Sequence, residues 1–307
     1  MRYAAGIDLG GTFVKYALVS EAGDLLIEGK FPVGEKATRE DTLDAIDASI
    51  QKVMDKAAEE LLEVSGIGIG SPGIVCDGIV QGGADNLDRW ENINLAKIYG
   101  EKYGLPVFAD NDANVMGLGE ATYGAAKGCT DVIFITVGTG IGGAIVTNGE
   151  LYGGYKNRGT EMGHVTINHK GIDCNCGGRG CLEVYASTAA LIQQYADKTS
   201  QAAETINGHY IVEKYKEGEK AAMECMQEHC NYLGHGIAGF INTFAPQKVV
   251  IGGGISEAGR FYIEMIKESA LSYAMSDCST NTDIVAATLG NNAGCLGAAS
   301  LIFKNVN

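Results

Sequence analysis

Two short hairpins rich in glycine and threonine, one in each half of the chain, constrain the fold more than any other feature. The first, Asp8-Leu9-Gly10-Gly11-Thr12, joins apolar runs over residues 3–9 and 12–20. The second, Gly138-Thr139-Gly140-Ile141-Gly142-Gly143, joins runs over 131–137 and 143–147. A further run over 24–31 follows the first pair, and the three read as antiparallel strands. Glycine lets successive backbone N–H groups of such a turn converge on an anion. Thr12 and Thr139 add hydroxyls and Lys15 a cation. Asp8 suits a phosphate when a magnesium ion lies between them; it also suits a tight hairpin whose turn it caps. The second hairpin matches the G-x-G-x-x-G pattern of dinucleotide folds. That pattern needs a helix to follow, and Ala144-Ile145-Val146 continues as a strand, so a nicotinamide site is set aside. The repeated strand–turn–strand plan predicts a duplicated unit facing a cleft, with a nucleotide's polyphosphate gripped from both halves.

The remaining periodicities fill in a mixed α/β chain. Leu43, Ile46, Ile50, Val53, Met54, Ala57 and Leu61 recur at helical spacing over 39–61. Val64–Gly70 reads as a buried strand ending at the Ser71-Pro72-Gly73 turn. A helix over 95–103, a strand over 106–109 and a helix over 111–123 follow. The second half reads as helices over 183–198 and roughly 217–244, a strand over 248–251, a helix from an N-cap at Ser256 to Ala274, a strand over 283–286 and a closing helix over 293–303. Two domains are expected: a small one of residues 1–115 plus 293–307, and a large one of 116–292. Gly252-Gly253-Gly254, after a strand, suits a flat adenine or ribose and equally suits close helix–strand packing.

Composition excludes several classes. A net charge of −15 argues against binding nucleic acid through its phosphates. No apolar run approaches the ~20 residues of a membrane span, and no signal peptide fits the N-terminus. Nine cysteines are an odd number for a disulfide framework, so reduced thiols, a metal site and a cytoplasmic location are expected. Between Glu161 and Glu183 lie His164, Cys174, Cys176 and Cys181, a full tetrahedral zinc set with no position left for a metal-bound water. The predicted zinc is structural. By tying its four ligands it ties Glu161 and Glu183 together, fixing a polar pocket in a loop 164–181 with no helix or strand of its own.

Asp110-Asn111-Asp112-Ala113-Asn114 falls between a strand and a helix, where polar side chains reach a ligand at the strand's C-terminal edge. Phosphoryl transfer to an alcohol needs a carboxylate to accept the hydroxyl proton. Asp112 or Asp110 can do this, while Asn111 or Asp110 can cap the helix.

Together these residues resemble the ROK family of sugar kinases and sugar-responsive repressors, built on the two-domain actin-like ATPase (ribonuclease H-like) fold. The resemblance spans essentially the whole chain. It rests on Asp8 to Thr12 with Lys15, Asn111 to Asn114, Gly138 to Gly143, Glu161 to His164, Cys174 to Glu183, and Gly252 to Gly254. It implies that Asp112 is the catalytic base, taking the proton of a sugar hydroxyl, usually O6 of a hexose. It implies that Asn111, Glu161, His164 and Glu183 hydrogen-bond the sugar and that the Gly73 backbone approaches it. Asp8, Gly10, Gly11, Thr12, Lys15, Gly138, Thr139 and Gly140 would meet the phosphates of ATP with Mg2+, and Gly253 and Gly254 the nucleoside. His164 would hold zinc through one ring nitrogen and the sugar through the other; His169, a rival ligand, fits the family spacing poorly. The family's usual Ala-Gly pair before the glutamate is Gly159-Thr160 here, which bears on sugar identity more than on chemistry. The expected activity is ATP-dependent phosphorylation of a hexose at O6, glucose first. N-acetylmannosamine, N-acetylglucosamine, fructose and allose are the alternatives. Family members are commonly dimers or tetramers, so the resemblance implies a homodimer or homotetramer without choosing between them. Its regulators carry a DNA-binding domain ahead of the first hairpin, and only seven residues precede Asp8 here. The zinc and sugar-pocket residues argue against an actin-like chaperone or filament ATPase.

Overall fold

The computed structural model describes residues 1–34, 37–84 and 87–306. The strands are β1 (Tyr3–Leu9), β2 (Phe13–Ser20), β3 (Leu25–Pro32), β4 (Val64–Ser71), β5 (Ile74–Cys76), β6 (Ile79–Gly82), β7 (Ile93–Asn94), β8 (Val107–Asn111), β9 (Val132–Val137), β10 (Ile141–Thr147), β11 (Glu150–Leu151), β12 (Lys248–Gly252) and β13 (Asp283–Ala286). The helices are α1 (Arg39–Glu59), α2 (Leu95–Tyr103), α3 (Asp112–Thr122), α4 (Glu183–Ala186), α5 (Thr188–Thr199), α6 (Gly208–Lys216), α7 (Lys220–Phe244), α8 (Arg260–Tyr273), α9 (Ser276–Ser279) and α10 (Ala293–Asn305). Two compact units result: Met1–Gly128 with Ala144–Thr160 and Leu289–Asn307, and Cys129–Gly143 with Glu161–Thr288. The boundary expected near residue 115 falls inside α3, which packs on α10 within the first unit. No helix among the described residues is long and apolar enough to cross a membrane.

In the first unit a five-stranded sheet runs in the order β3-β2-β1-β4-β8. The first three strands form the expected antiparallel meander. β4 then joins β1 in parallel, which requires a crossover, and α1 supplies it. Thr38 starts α1 with a capping box: its hydroxyl accepts from the Asp41 N–H, and its own N–H donates to the Asp41 carboxylate. Ile46, Ile50, Val53 and Ala57 form the buried stripe. Leu61, expected to continue it, lies past the helix end at φ 57° and is 93% exposed. On the other face α10 lies against β1 and β4. The approach is close enough that a Cβ on Gly68 would stand 1.8 Å from the Ala298 carbonyl oxygen, so only glycine fits there. Register sets the C-terminal edge: Asp8 pairs with Gly70, Gly70 with Asp110 and Ser71 with Asn111.

A small sheet β5-β6-β7 follows β4 and is absent from the sequence expectations. Its hairpin turns on Asp77-Gly78, with φ of 51° and 74°, the turn that matches strand twist. The second five-stranded sheet runs β11-β10-β9-β12-β13 and repeats the first in order, with β9, β12 and β13 parallel. The second half departs from the sequence reading at three points. The helix from 183 breaks at Ser187, which caps α5 through its side chain. α6, capped by Asn207, was not anticipated. Ser256 is no N-cap: it sits in the 3-10 turn Gly254–Ala258, where its hydroxyl donates to the Gly253 carbonyl, and α8 starts only at Arg260.

Candidate active site

In the first unit the parallel strands β1, β4 and β8 end together, and their last residues supply the polar groups. Asp8 is buried, with its carboxylate 3.7 Å from Lys15 Nζ. Burial pushes its pKa up to about 6, Lys15 pulls it down, and Asp112 adds to the rise. A Cβ on Gly70 would lie 3.7 Å from both Asp8 Oδ1 and Asp112 Cα, so the two acids flank one glycine. Asp112 opens α3. Its Oδ1 accepts from the Ala113 N–H at 2.9 Å, and burial raises its pKa above the usual carboxylate value. Asn111 is the helix cap, its Oδ1 accepting from the N–H groups of Ala113 and Asn114. The Asn111 amide donates to the Gly73 carbonyl at 3.0 Å, and Gly73 itself stands at φ 88°.

Asp110, the other candidate base, is occupied differently. Its Oδ1 accepts from the Asn111 N–H and from the side-chain amides of Asn114 and Asn157, at 2.7, 2.8 and 2.8 Å. An oxygen holding three N–H groups is committed to structure. In the first hairpin the Gly10 N–H donates to the Phe13 carbonyl at 2.9 Å, so it serves the turn, while Gly11 and Thr12 are exposed.

Thr160 stands at φ 67°, where a β-branched residue is strained. Its hydroxyl donates to the Gly159 carbonyl at 2.6 Å and lies 3.5 Å from Asn114 Oδ1. Glycine takes that backbone without strain, so Thr160→Gly is expected to raise Tm by about 2–4 °C, the return of about 1 kcal/mol. Thr160→Val keeps the strain and loses the hydroxyl, so it should lower Tm. Equal losses from both variants in a thermal melt would refute the strain.

In the second unit the hairpin Gly138–Gly143 closes with the Gly138 N–H on the Gly140 carbonyl at 2.9 Å. Glu183, at the start of α4, accepts from the Ile141 N–H at 2.8 Å through Oε2. A Cβ on Gly140 would stand 2.4 Å from that oxygen, so glycine there admits the carboxylate. Gly138, Thr139 and Gly254 line one cavity of about 300 Å³, while Gly253, at φ 89°, packs on the Val137 carbonyl beside it. Ile192, Val212 and Ile255 give an apolar wall with the His209 ring among them, and the buried hydroxyl oxygen of Thr188 has no protein partner there. Sequence reading missed these wall residues. The one available signal was Asn207, whose side chain caps the α6 that carries His209 and Val212.

His164, Cys174, Cys176 and Cys181 bring one ligand atom each within 4.8 Å of one another; His169 is not part of the cluster. The Cys176 and Cys181 sulfurs are 3.7 Å apart, and Cys174 Sγ is 3.6 Å from His164 Nδ1. A tetrahedron with ordinary zinc bond lengths has edges of about 3.8 Å between sulfurs and about 3.6 Å from sulfur to nitrogen, so the donor set fits that ion. The loop is less bare than expected. Met162–His164 is a 3-10 turn, Thr166 bridges Cys181 and Asp173 bridges Arg179 in strand-like pairs, and the Gly178 N–H donates to Cys176 Sγ. Glu161, exposed, opens the 3-10 turn with its carbonyl accepting from the His164 N–H.

The ROK family profile matches residues 4–305. The chain is 36% identical to glucokinase of Thermotoga maritima over 320 residues, covering 98% of this chain and 97% of that one. It is 30% identical to the xylose repressor of Bacillus subtilis over 305 residues, covering 99% of this chain and 77% of that one. A solved ROK family glucokinase from Streptomyces griseus, in complex with glucose and AMPPNP, superposes with a TM-score of 0.83 at 32% identity, covering 99% of this chain and 100% of that one. This chain belongs to the ROK family and has its two-domain actin-like ATPase fold.

Proposed function

We infer that this protein is an ATP-dependent hexokinase that phosphorylates glucose at O6 to give glucose 6-phosphate. The observation that carries the reading is the pair of carboxylates flanking Gly70, Asp8 and Asp112, at the C-terminal edge of three parallel strands. The full-length similarity to glucokinases supports it. Asp112 accepts the proton of the sugar's primary hydroxyl while that oxygen attacks the terminal phosphorus of ATP; the bond to the bridging oxygen breaks and ADP leaves. Asn111, Glu161, His164, Glu183 and the Gly73 backbone bind the sugar. Gly11, Thr12, Lys15, Thr139 and Gly140 face the phosphates. The apolar cavity beside Gly254 takes the nucleoside base. Asp8 would hold Mg2+, which neutralises phosphate charge when bound. Zn2+ would be held by His164 and the three cysteines, fixing the ring of His164. A cytoplasmic homodimer or homotetramer serving glycolysis completes the proposal.

ADP release measured across glucose, N-acetylmannosamine, N-acetylglucosamine, fructose and allose tests it. Glucose should give the highest kcat/KM. A higher value for another sugar would reassign the substrate, and ADP release independent of any sugar would remove the kinase reading. The match to a xylose repressor favours one other reading, a sugar-responsive regulator. A gel shift with genomic fragments at physiological salt separates the two.

A further inference from the structure

We propose that Asp110 is a positioning residue for the sugar side of the reaction, acting as a latch that holds the chain leading into Glu161. The inference rests on the kinase reading above and assigns a residue that the chemistry itself does not use. Three of the five residues before Glu161 adopt left-handed backbone without being glycine: Lys156 at φ 54°, Asn157 at 54° and Thr160 at 67°. Such backbone persists only where its surroundings hold it. Backbone bonds such as Gly159 N–H to the Gly153 carbonyl close the turn itself, and the Asn157 side chain ties it to the rest of the unit. The Asn157 amide nitrogen donates to Asp110 Oδ1 at 2.8 Å and to the Val75 carbonyl at 2.7 Å, pinning the segment to the end of β8 and to β5. Asn114, on the first turn of α3, donates to the same Asp110 oxygen at 2.8 Å and turns its own carbonyl oxygen toward the Thr160 hydroxyl. One carboxylate oxygen thus joins the helix that presents Asp112 to the segment that ends at Glu161. Hydrogen bonds to an ionised acceptor are stronger than neutral ones, which suits a carboxylate here better than an amide.

The consequence is specific. Releasing the latch lets residues 156–160 relax toward ordinary backbone, which displaces a sugar contact and leaves the base and the ATP groups in place. Asn157→Gly tests this well, because glycine keeps the left-handed backbone while removing the side chain that makes both hydrogen bonds. Asp110→Asn keeps the volume and removes the charge. Each variant should raise the KM for glucose about tenfold or more, with kcat and the KM for ATP within about threefold of wild type. The double variant should fall short of the product of the two effects, since both break one contact. Amide hydrogen exchange of residues 154–160 should quicken in both variants without sugar present. A glucose KM within about twofold of wild type, or a fall in kcat at unchanged KM, overturns the proposal. If the wild-type protein phosphorylates no sugar at all, the kinase reading fails, and the exchange measurement still decides whether the latch exists.

Discussion

Asp112→Asn should lower kcat by about 10²–10⁴-fold while glucose still binds, because general-base help of this kind contributes that much. Asparagine preserves the oxygen that accepts the Ala113 N–H, so α3 keeps its first turn and only the proton acceptor is lost. Burial raises the Asp112 pKa, which strengthens the base at neutral pH provided it remains ionised. The acid limb of the rate profile should therefore belong to this group: the wild-type rate falls as pH drops through the raised pKa, and the variant's residual rate loses that limb. Asp8, pushed up to about 6, adds a second acid-side ionisation. Its linkage to stability runs the other way. A carboxyl whose folded pKa lies above its unfolded value contributes stability below the unfolded pKa and loses it as pH rises through about 6, unless a cation takes up the charge. Activity and this part of stability thus oppose each other between the two pKa values. Single-turnover kinetics and calorimetric glucose binding check the substitution. A variant retaining more than about a tenth of wild-type kcat contradicts the assignment of the base.

The groups that were legible in the sequence are those whose signal is local. The capping position of Asn111, the paired hairpins and the cluster of His164 with three cysteines each declare themselves within a few residues. Asp77-Gly78 between Val75 and Val80 was equally declared, a two-residue turn flanked by apolar pairs, yet the short strands around it fall below the length at which periodicity is convincing. What the sequence withholds is register and reach. That Asp8 and Asp112 flank Gly70 depends on two parallel pairings separated by crossovers. That Asp110 Oδ1 is taken up by Asn114 and Asn157, which favours Asp112 as the proposed base, depends on a contact 47 residues away in sequence. The link from Glu183 to the Ile141 N–H joins a metal loop to a glycine hairpin 42 residues apart, and no spacing rule announces it. The cavity proposed for the nucleoside is more hidden still, since its wall is assembled mostly from apolar residues that resemble any core.

Cys176→Ala is the cleanest removal of the proposed zinc, and it should take both the metal and most of the glucose affinity with it. Cys176 is exposed whereas Cys174 and Cys181 are buried, so truncating it opens no cavity to confuse the result. Elemental analysis should fall from about one zinc per chain to none, as it should for Cys174→Ala and Cys181→Ala. The reason that affinity follows the metal is the short tether. Cys181 stands two residues before Glu183, with fully buried Leu182 between them, and the Glu183 carboxylate holds the second hairpin through Ile141. With zinc bound, His164 would take its ring orientation from the metal. Loss of such support around a metal typically costs about 10–100-fold, so the KM for glucose should rise by that factor. The KM for ATP should rise with it, since Glu183 serves the hairpin assigned to the phosphates. Structural zinc binding is worth about 10–16 kcal/mol in small zinc-dependent peptides, so a fall in Tm should accompany the loss even in a domain with its own core. Restoring the metal to chelator-treated wild-type protein should restore glucose binding, which separates loss of zinc from irreversible unfolding. A zinc-free protein that binds glucose as the wild type does would break the connection between the metal and the sugar.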